Sequence, residues 1–193
     1  MQAARDAFET SWRSGRQFRD VDAARLVAVA LRDLVPADRA DEVAVAYREA
    51  TLQPGLRTVP GATEAVRALA DRGVRLGIVC DVGLTPSRVL RAELDRLGLL
   101  DAFAAWAFSD EVGVYKPDPR IFEHALAGLG VGARVAWHVG DRRDTDVAGA
   151  RAAGMRAVRL TVEVDDPAPG PSADHVCADY DEVLAVLGVA PAR

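Results

Sequence analysis

The stretch VGDRRDTDVAGARAAG, residues 139–154, decides the fold class of this chain. It continues a mostly apolar, partly β-branched run at 134–139, which is typical of a buried strand. A tight turn is predicted at Gly140-Asp141, followed by a helix that begins near Thr145-Asp146. The alanines and glycine of that helix are small enough to let it lie close against a sheet. A strand, a turn and a packed helix form the repeating unit of an α/β fold.

Asp141 and Asp146 stand where the predicted strand ends and the helix begins. In an open α/β sheet, ligands bind at the carboxyl ends of the strands. A pair of carboxylates is also the kind of ligand set that hard divalent cations prefer. The alternative interpretation is that Asp146 caps the helix and Asp141 belongs to the turn. This segment alone leaves both interpretations open.

Length and composition predict a globular protein with one ordinary domain, or with one domain and a small appendage. The chain has 193 residues, of which 50% are hydrophobic and 27% charged, with a net charge of −5. An acidic balance without a basic stripe excludes a nucleic-acid surface. Neither a signal peptide nor a bilayer-length apolar run is visible, and Cys80 and Cys177 match no metal spacing. We therefore expect a cytoplasmic protein that binds neither membranes nor nucleic acid.

The chain divides into a helical segment, residues 1–57, and an alternating segment, residues 58–193. Apolar residues at helical spacing predict helices over 3–13, 23–34 and 36 to about 52, before the breaker Pro54-Gly55. From residue 58 onward, strands and helices alternate, which predicts a doubly wound parallel α/β sheet with the first segment as a small α-helical cap. The predicted strands are 74–80, 103–108, 134–139, 156–160 and 174–176, and the predicted helices are 63–72, 85–97, 118–128, one from about 145, and 179–187.

Three of these strands are followed directly by polar residues. The segments are Cys80–Gly83, Ser109–Glu111 and Gly140-Asp141, and a rigid turn with two prolines presents Lys116 between the last two. A lysine and free backbone N–H groups stabilise an anion, and paired carboxylates hold a divalent cation that neutralises charge during phosphoryl transfer. This combination at one sheet edge favours a site for a phosphate ester.

Three segments carry a resemblance to a known family: GIVCDVG at 77–83, FSDEVGVYKPDPRIFEHAL at 108–126 and HVGDRRDTDVAGARAAGM at 138–155. On these, the chain resembles the haloacid dehalogenase (HAD) superfamily, in its helical-cap, phosphoglycolate-phosphatase-like branch. The likeness runs from about Thr58 to the C-terminus, and Lys-Pro-Asp-Pro followed by Gly-Asp-x-x-x-x-Asp is highly specific. It implies a Mg²⁺-dependent phosphatase that acts on a small phosphorylated metabolite through an aspartyl-phosphate, and it leaves a homodimer open.

The resemblance also implies a role for individual residues. Lys116 matches the lysine that steadies the nucleophile and the phosphoryl group, and Asp141 matches a Mg²⁺ ligand supported by Asp146. Asp81 and Gly83 match turn residues whose backbone N–H groups face the ligand. Cys80 stands where the family places a Ser or Thr, and a thiol is a weak donor, so phosphate binding should be poorer.

The first motif of the family, an apolar strand ending in Asp-x-Asp-Gly-Thr, is not found in this sequence. Asp20-Val21-Asp22 and Asp179-Tyr180-Asp181 have the right spacing, but neither follows a buried strand, and both are better explained as helix starts. The motif supplies the nucleophile and two metal-binding oxygens. We therefore expect this chain to be inactive or nearly so and to bind Mg²⁺ weakly.

In the family, the strand of the first motif lies between the strands predicted here at 74–80 and 134–139. Either those two strands close up, or another segment fills the position, or the sequence is shorter than the natural protein, which we favour. A rival hypothesis is a naturally non-catalytic pseudoenzyme that binds a ligand or a partner protein. A weaker one is a different reaction at Cys80, Asp81 and Lys116; dehalogenation is disfavoured because it does not need a carboxylate-held metal.

Overall fold

The computed structural model of the chain describes residues 36–39, 42, 45–46, 55–82, 85–163, 165 and 167–189. Of the predicted cap, residues 1–57, the structure describes only 36–39, 42, 45–46 and 55–57, with a 3₁₀ turn at Ala37–Arg39. In the described part of the chain, no helix is long and apolar enough to cross a membrane.

Strands and helices alternate in the predicted order. The strands are β1 (Leu76–Cys80), β2 (Phe103–Phe108), β3 (Trp137–Gly140), β4 (Arg156–Leu160) and β5 (His175–Cys177). The helices are α1 (Ala62–Asp71), α2 (Ser87–Arg96), α3 (Ser109–Val112), α4 (Pro119–Leu129), α5 (Ala148–Ala152) and α6 (Tyr180–Val186). Short 3₁₀ turns at Leu100–Ala102 and Ala133–Val135 precede β2 and β3.

The strands form two parallel groups, and this confirms the predicted α/β class. In one group β1 pairs with β2, and in the other β4 lies between β3 and β5. All three pairings are parallel. Cys80 is opposite Phe108 and Gly140 is opposite Arg159, so the paired strands end together. Residues that follow these strands are thereby delivered to the carboxyl edge of each group.

Helices cover both faces of the strands, as a doubly wound arrangement requires. On one face α4 and α5 bury a cluster of eight residues. On the other, α1 and α6 pack together through Ala65, Leu69 and Leu184. Phe122 and Ile121 of α4 are fully buried, and the helix begins where Asp118 accepts a hydrogen bond from Arg120 N, with Pro119 as its first residue.

Several predicted boundaries needed correction. The strand predicted at 134–139 begins only at Trp137, because Ala133–Val135 form a 3₁₀ turn. Ser109–Glu111, predicted as a loop, lie in α3. The helix predicted to begin near Thr145-Asp146 begins at Ala148, after a π-helical turn at Arg143–Val147. In that turn, Val147 N donates to Arg142 O at 3.1 Å. Wide turns of this kind are often found at functional sites.

The interpretation of Asp179 as a helix start is confirmed, because its side chain accepts a hydrogen bond from Glu182 N at 2.9 Å. Asp179-Tyr180-Asp181 therefore begin α6 and do not follow a buried strand. Asp20-Val21-Asp22 lie outside the described residues.

The two strand groups do not close up, so that alternative is wrong. A cleft of about 670 Å³ lies between β1 and β3, with Ile78 on one side and Val139 on the other. Among the described residues, no strand pairs with the edge of β1 or of β3 that borders the cleft.

We expect Gly149→Ala to lower the free energy of unfolding by about 1–3 kcal/mol. A Cβ at Gly149 would lie 2.2 Å from Phe122 Cε2 and 3.1 Å from Pro117 Cα, so α4 would have to move. Gly132→Ala is the matched control, because Gly132 has a φ of −80° and nothing within 4 Å of its Cβ position. Urea unfolding of both variants measures the difference, and equal midpoints would contradict the close approach of α5 to α4.

Candidate active site

Lys116 connects the carboxyl ends of the two strand groups. Its backbone N donates to Asp81 Oδ1 at 3.0 Å, and Asp81 directly follows β1. Its ammonium Nζ donates to Asp146 Oδ1 at 2.7 Å, and Asp146 follows β3. Lys116 thereby fixes the position of the carboxyl end of β1 relative to that of β3, across the cleft.

The sequence around Lys116 explains why its position is fixed. Val114 and Tyr115 are buried, and Asp118 N donates to Tyr115 O at 2.9 Å, which closes a turn around Lys116. Pro117 limits the backbone at the centre of this turn. The lysine therefore enters the site from a rigid segment, anchored by the buried residues before it and by α4 after it.

Asp146 is the most enclosed carboxylate of the site, and its residue is only 3% exposed. Oδ1 accepts from Lys116 Nζ and lies 3.1 Å from His138 Nε2, while Oδ2 accepts from Arg142 N at 3.1 Å. A Cβ at residue 140 would lie 2.4 Å from Asp146 Cγ, so only Gly140 permits this approach. Asp146 does not cap a helix, and the capping interpretation is wrong for this residue.

Electrostatic attraction stabilises the ion pair of Lys116 and Asp146. It offsets the large free-energy cost of removing both charges from water. Burial alone would raise the pKa of Asp146, but the hydrogen bond with His138 and the charge of Lys116 hold it well below its usual range. Burial likewise opposes the charged form of Lys116, yet the carboxylates of Asp146 and Asp81 raise its pKa. Both groups are therefore ionised at neutral pH.

Asp141 is in a different electrostatic environment. Burial and the negative charge of Asp146 both raise the pKa of Asp141, so its ionised form is disfavoured. A nearby cation would relieve that repulsion. However, both oxygens of Asp146 already accept hydrogen bonds, and the described residues contain no cluster of three or more metal-binding side chains. Magnesium usually takes one or two carboxylates and completes its shell with water and substrate oxygens, so Asp141, supported by Asp146, would be its ligand here.

Cys80 ends β1 beside the same charges. Burial, together with the carboxylates of Asp81 and Asp110, outweighs the effect of Lys116 and raises the pKa of the Cys80 thiol to about 11. The thiol is therefore protonated at neutral pH, which argues against its use as a nucleophile. Gly83, the fourth residue of this predicted segment, lies outside the described residues.

Two further residues, which the sequence analysis assigned no role, support the loop after β1. The buried hydroxyl of Ser109 accepts from Val82 N at 3.1 Å, and Asp110 Oδ2 accepts from Ser87 N at 2.9 Å. The sequence offered one indication of this role, which is the position of both residues directly after β2. It could not show the hydrogen bonds, because the partners are more than 20 residues away in the chain. Both bonds fix the backbone that follows Asp81.

The structure thus gathers Cys80, Asp81, Lys116, Asp141 and Asp146 at one edge, where a buried cation lies among carboxylates. His138 also contacts Asp146, and its ring packs edge-on against Phe122 with centroids 4.9 Å apart. Such an arrangement can hold an anion next to Lys116 and can fix the direction of each carboxylate.

Comparisons with known proteins agree with this geometry. A family model described as haloacid dehalogenase-like hydrolase matches residues 3–154. The glyceraldehyde 3-phosphate phosphatase of Pyrococcus abyssi is 41% identical over 105 residues, which are 53% of this chain and 42% of that protein. The phosphoglycolate phosphatase of Rhodospirillum rubrum is 38% identical over 142 residues, which are 69% of this chain and 57% of that protein.

The chain spans about half the length of these two relatives. Among solved structures, the 2-haloacid dehalogenase from Pseudomonas syringae superposes with a TM-score of 0.70 at 27% identity, covering 88% of this chain and 72% of that one. The α/β core and the two motifs around Lys116 and Asp141 indicate the same family as these comparisons. Because the family model matches most of its length, the chain belongs to the haloacid dehalogenase-like hydrolase family.

Proposed function

We propose that this chain provides most of the active site of a phosphatase that acts on a small phosphate monoester. The observation that carries the proposal is the buried ammonium of Lys116, which donates to Asp146 at the carboxyl edge while the backbone N of the same residue donates to Asp81. A fixed positive charge in a site with little water stabilises the charge that develops on a transferring phosphoryl group. The phosphatases among its relatives support this choice over dehalogenation.

Each residue of the site then has a defined task. Lys116 would contact the phosphoryl group and the nucleophile, while Asp146 and His138 fix the direction of its ammonium. The Cys80 thiol and the backbone after Asp81 would donate to phosphoryl oxygens, the thiol weakly. The carboxylate of Asp141 would contact a cation that is bound together with the phosphate.

The nucleophile would be an aspartate on a strand in the cleft between β1 and β3, since that position ends beside Lys116. Its carboxylate oxygen would attack phosphorus, the phosphorus–oxygen ester bond would break, and a second carboxylic acid would protonate the leaving alkoxide. Water would then hydrolyse the acyl phosphate and release inorganic phosphate. Asp141, supported by Asp146, would hold a Mg²⁺ ion that neutralises charge on the phosphoryl group, and weak Mg²⁺ binding by this chain is expected.

A non-catalytic role remains the second candidate, because the described residues leave the nucleophile position open. In that role the same edge would bind a phosphorylated ligand or a partner without turning it over. Choice of substrate in either role would rest on the predicted cap, which lies outside the described residues.

We expect Asp141→Asn to stabilise the protein at neutral pH, because the raised pKa shows that ionised Asp141 is disfavoured in the folded state. The unfolded carboxyl titrates near pH 3.9. The destabilisation should therefore be absent below that pH and complete above the folded pKa, so the variant gains its advantage as pH rises through that window. Urea unfolding between pH 3.5 and about 7 measures it.

Glu123→Gln is the control, since it removes a carboxylate from an exposed position of α4. It should not reproduce the pH-dependent gain. If Asp141→Asn destabilised the protein at pH 7, Asp141 would have a structural role and the assignment to the active site would fail.

We expect the 193-residue chain to show no appreciable Mg²⁺-dependent hydrolysis of p-nitrophenyl phosphate, and an upstream apolar strand ending in Asp-x-Asp to confer it. The reason is that the strand supplies the nucleophile beside Lys116. A fusion in which the first Asp of that strand is Asn should be folded and inactive. In the active fusion, Lys116→Met should lower kcat by about 10²–10³-fold.

Circular dichroism of each fusion separates loss of activity from loss of folding. The variant Lys116→Arg tests whether a positive charge at this position is enough for activity. Robust turnover by the 193-residue chain, abolished by Asp141→Asn, would contradict the predicted inactivity. A folded but inactive fusion would instead favour the non-catalytic role.

A further inference from the structure

Asp110 lies near the carboxyl end of β1, although it is distant from that strand in the sequence. In the parallel pairing of β1 with β2, Cys80 is opposite Phe108, and Asp110 follows directly after the end of β2. Burial is the main cause of the raised pKa of the Cys80 thiol, and the negative charge of Asp110 adds to it. The charge of Asp110 therefore reaches the residue that would donate to a phosphoryl oxygen.

One oxygen of Asp110 holds the amino end of α2. Oδ2 accepts from Ser87 N at 2.9 Å, and Ser87 is the first residue of α2. Pro86, which precedes it, has no side-chain acceptor, so Asp110 supplies the cap from another element. The adjacent Ser109 accepts from Val82 N at 3.1 Å. Two neighbouring residues of α3 thus fix both ends of the connection from β1 to α2.

The other oxygen of Asp110 is buried and unpaired. Oδ1 has almost no contact with solvent and no hydrogen-bond partner among the described residues. A carboxylate oxygen in this position is poorly screened, because neither water nor a donor neutralises it. The buried ammonium of Lys116 is held by Asp146 at 2.7 Å and so does not neutralise Asp110. The negative charge of Asp110 therefore opposes an anion bound at this edge.

We propose that Asp110 has two opposed effects on anion binding at this edge. Its hydrogen bond positions the backbone between β1 and α2, which favours binding, and its charge repels the bound phosphoryl group. The inference rests on the proposed function, because it takes the anion to be phosphate. Asp110 is a positioning residue, and its charge weakens the hold on inorganic phosphate, the product, and favours its release.

Asp110→Asn separates the two effects, because asparagine keeps an oxygen that can accept from Ser87 N and removes the charge. The test is isothermal titration calorimetry of the 193-residue chain with inorganic phosphate at a fixed concentration of Mg²⁺. This variant should bind phosphate at least about threefold more tightly than the unchanged chain. Asp110→Ala removes the hydrogen bond as well, so it should bind at least about tenfold more weakly than Asp110→Asn.

Glu111→Gln is the matched control. It removes the same charge from the next residue of α3, where the carboxylate is 41% exposed and paired with Arg91. Because solvent screens an exposed charge, the affinity for phosphate should stay within about twofold. Lys116→Met should abolish binding, which shows that the titration reports on this site.

Amide hydrogen exchange tests the positioning effect without phosphate. Exchange at Ser87 N should be faster in Asp110→Ala than in the unchanged chain, and Asp110→Asn should retain the protection. Equal melting temperatures of Asp110→Asn and the unchanged chain would show that a change in affinity does not come from unfolding.

Three results would each overturn the proposal. The first is binding by Asp110→Asn that is no tighter than binding by the unchanged chain, including no binding by either. The second is equal affinity of Asp110→Asn and Asp110→Ala, and the third is an equal gain in Glu111→Gln.

The phosphatase assay of the covalent fusion separates this inference from the proposed function. Affinities that change as expected, with a folded but inactive fusion, would retain the role of Asp110 and contradict the phosphatase. An active fusion, with equal phosphate affinities of the Asp110 variants, would retain the phosphatase and contradict the role of Asp110. Phosphate binding that survives Lys116→Met would place the anion elsewhere and contradict both.

Discussion

The buried ion pair between Lys116 and Asp146 is the interaction on which the rest of this structure depends. Both charges lose most of their hydration, and this cost is offset because His138 and the backbone N–H of Arg142 also contact the Asp146 carboxylate, while the Lys116 backbone N–H donates to Asp81. Removing one partner of such a pair costs about 3–5 kcal/mol, because the other charge stays buried. The same pair holds the ends of β1 and β3 at a fixed distance across the cleft.

That constraint explains details which would otherwise look unrelated. Gly140 leaves room for the Asp146 carboxylate, and the π-helical turn at Arg143–Val147 directs it towards the backbone N–H of Arg142. Burial and the neighbouring negative charge of Asp146 raise the pKa of Asp141. A site built to handle anions and cations thus keeps one carboxylate in an unfavourable position, as functional sites commonly do at the expense of stability.

The cleft between β1 and β3 lies where the sequence resemblance places the strand of the family's first motif. Helices close both of its faces, yet the strand edges of β1 and β3 remain without partners among the described residues. Packing against helices is satisfied by apolar side chains, whereas a strand edge is satisfied only by another backbone in register.

The sequence by itself determined the elements and the edge at which the site lies. β2 and β4 have the predicted bounds, and Lys116, Asp141 and Asp146 could be placed at the carboxyl edge, because periodicity and turn chemistry are local properties. Only the tertiary structure decided that Asp146 binds Lys116 and His138 and caps nothing, that burial raises the pKa of the Cys80 thiol, and that no described strand fills the cleft. Those outcomes depend on burial and on partners distant in the chain, which no local pattern encodes.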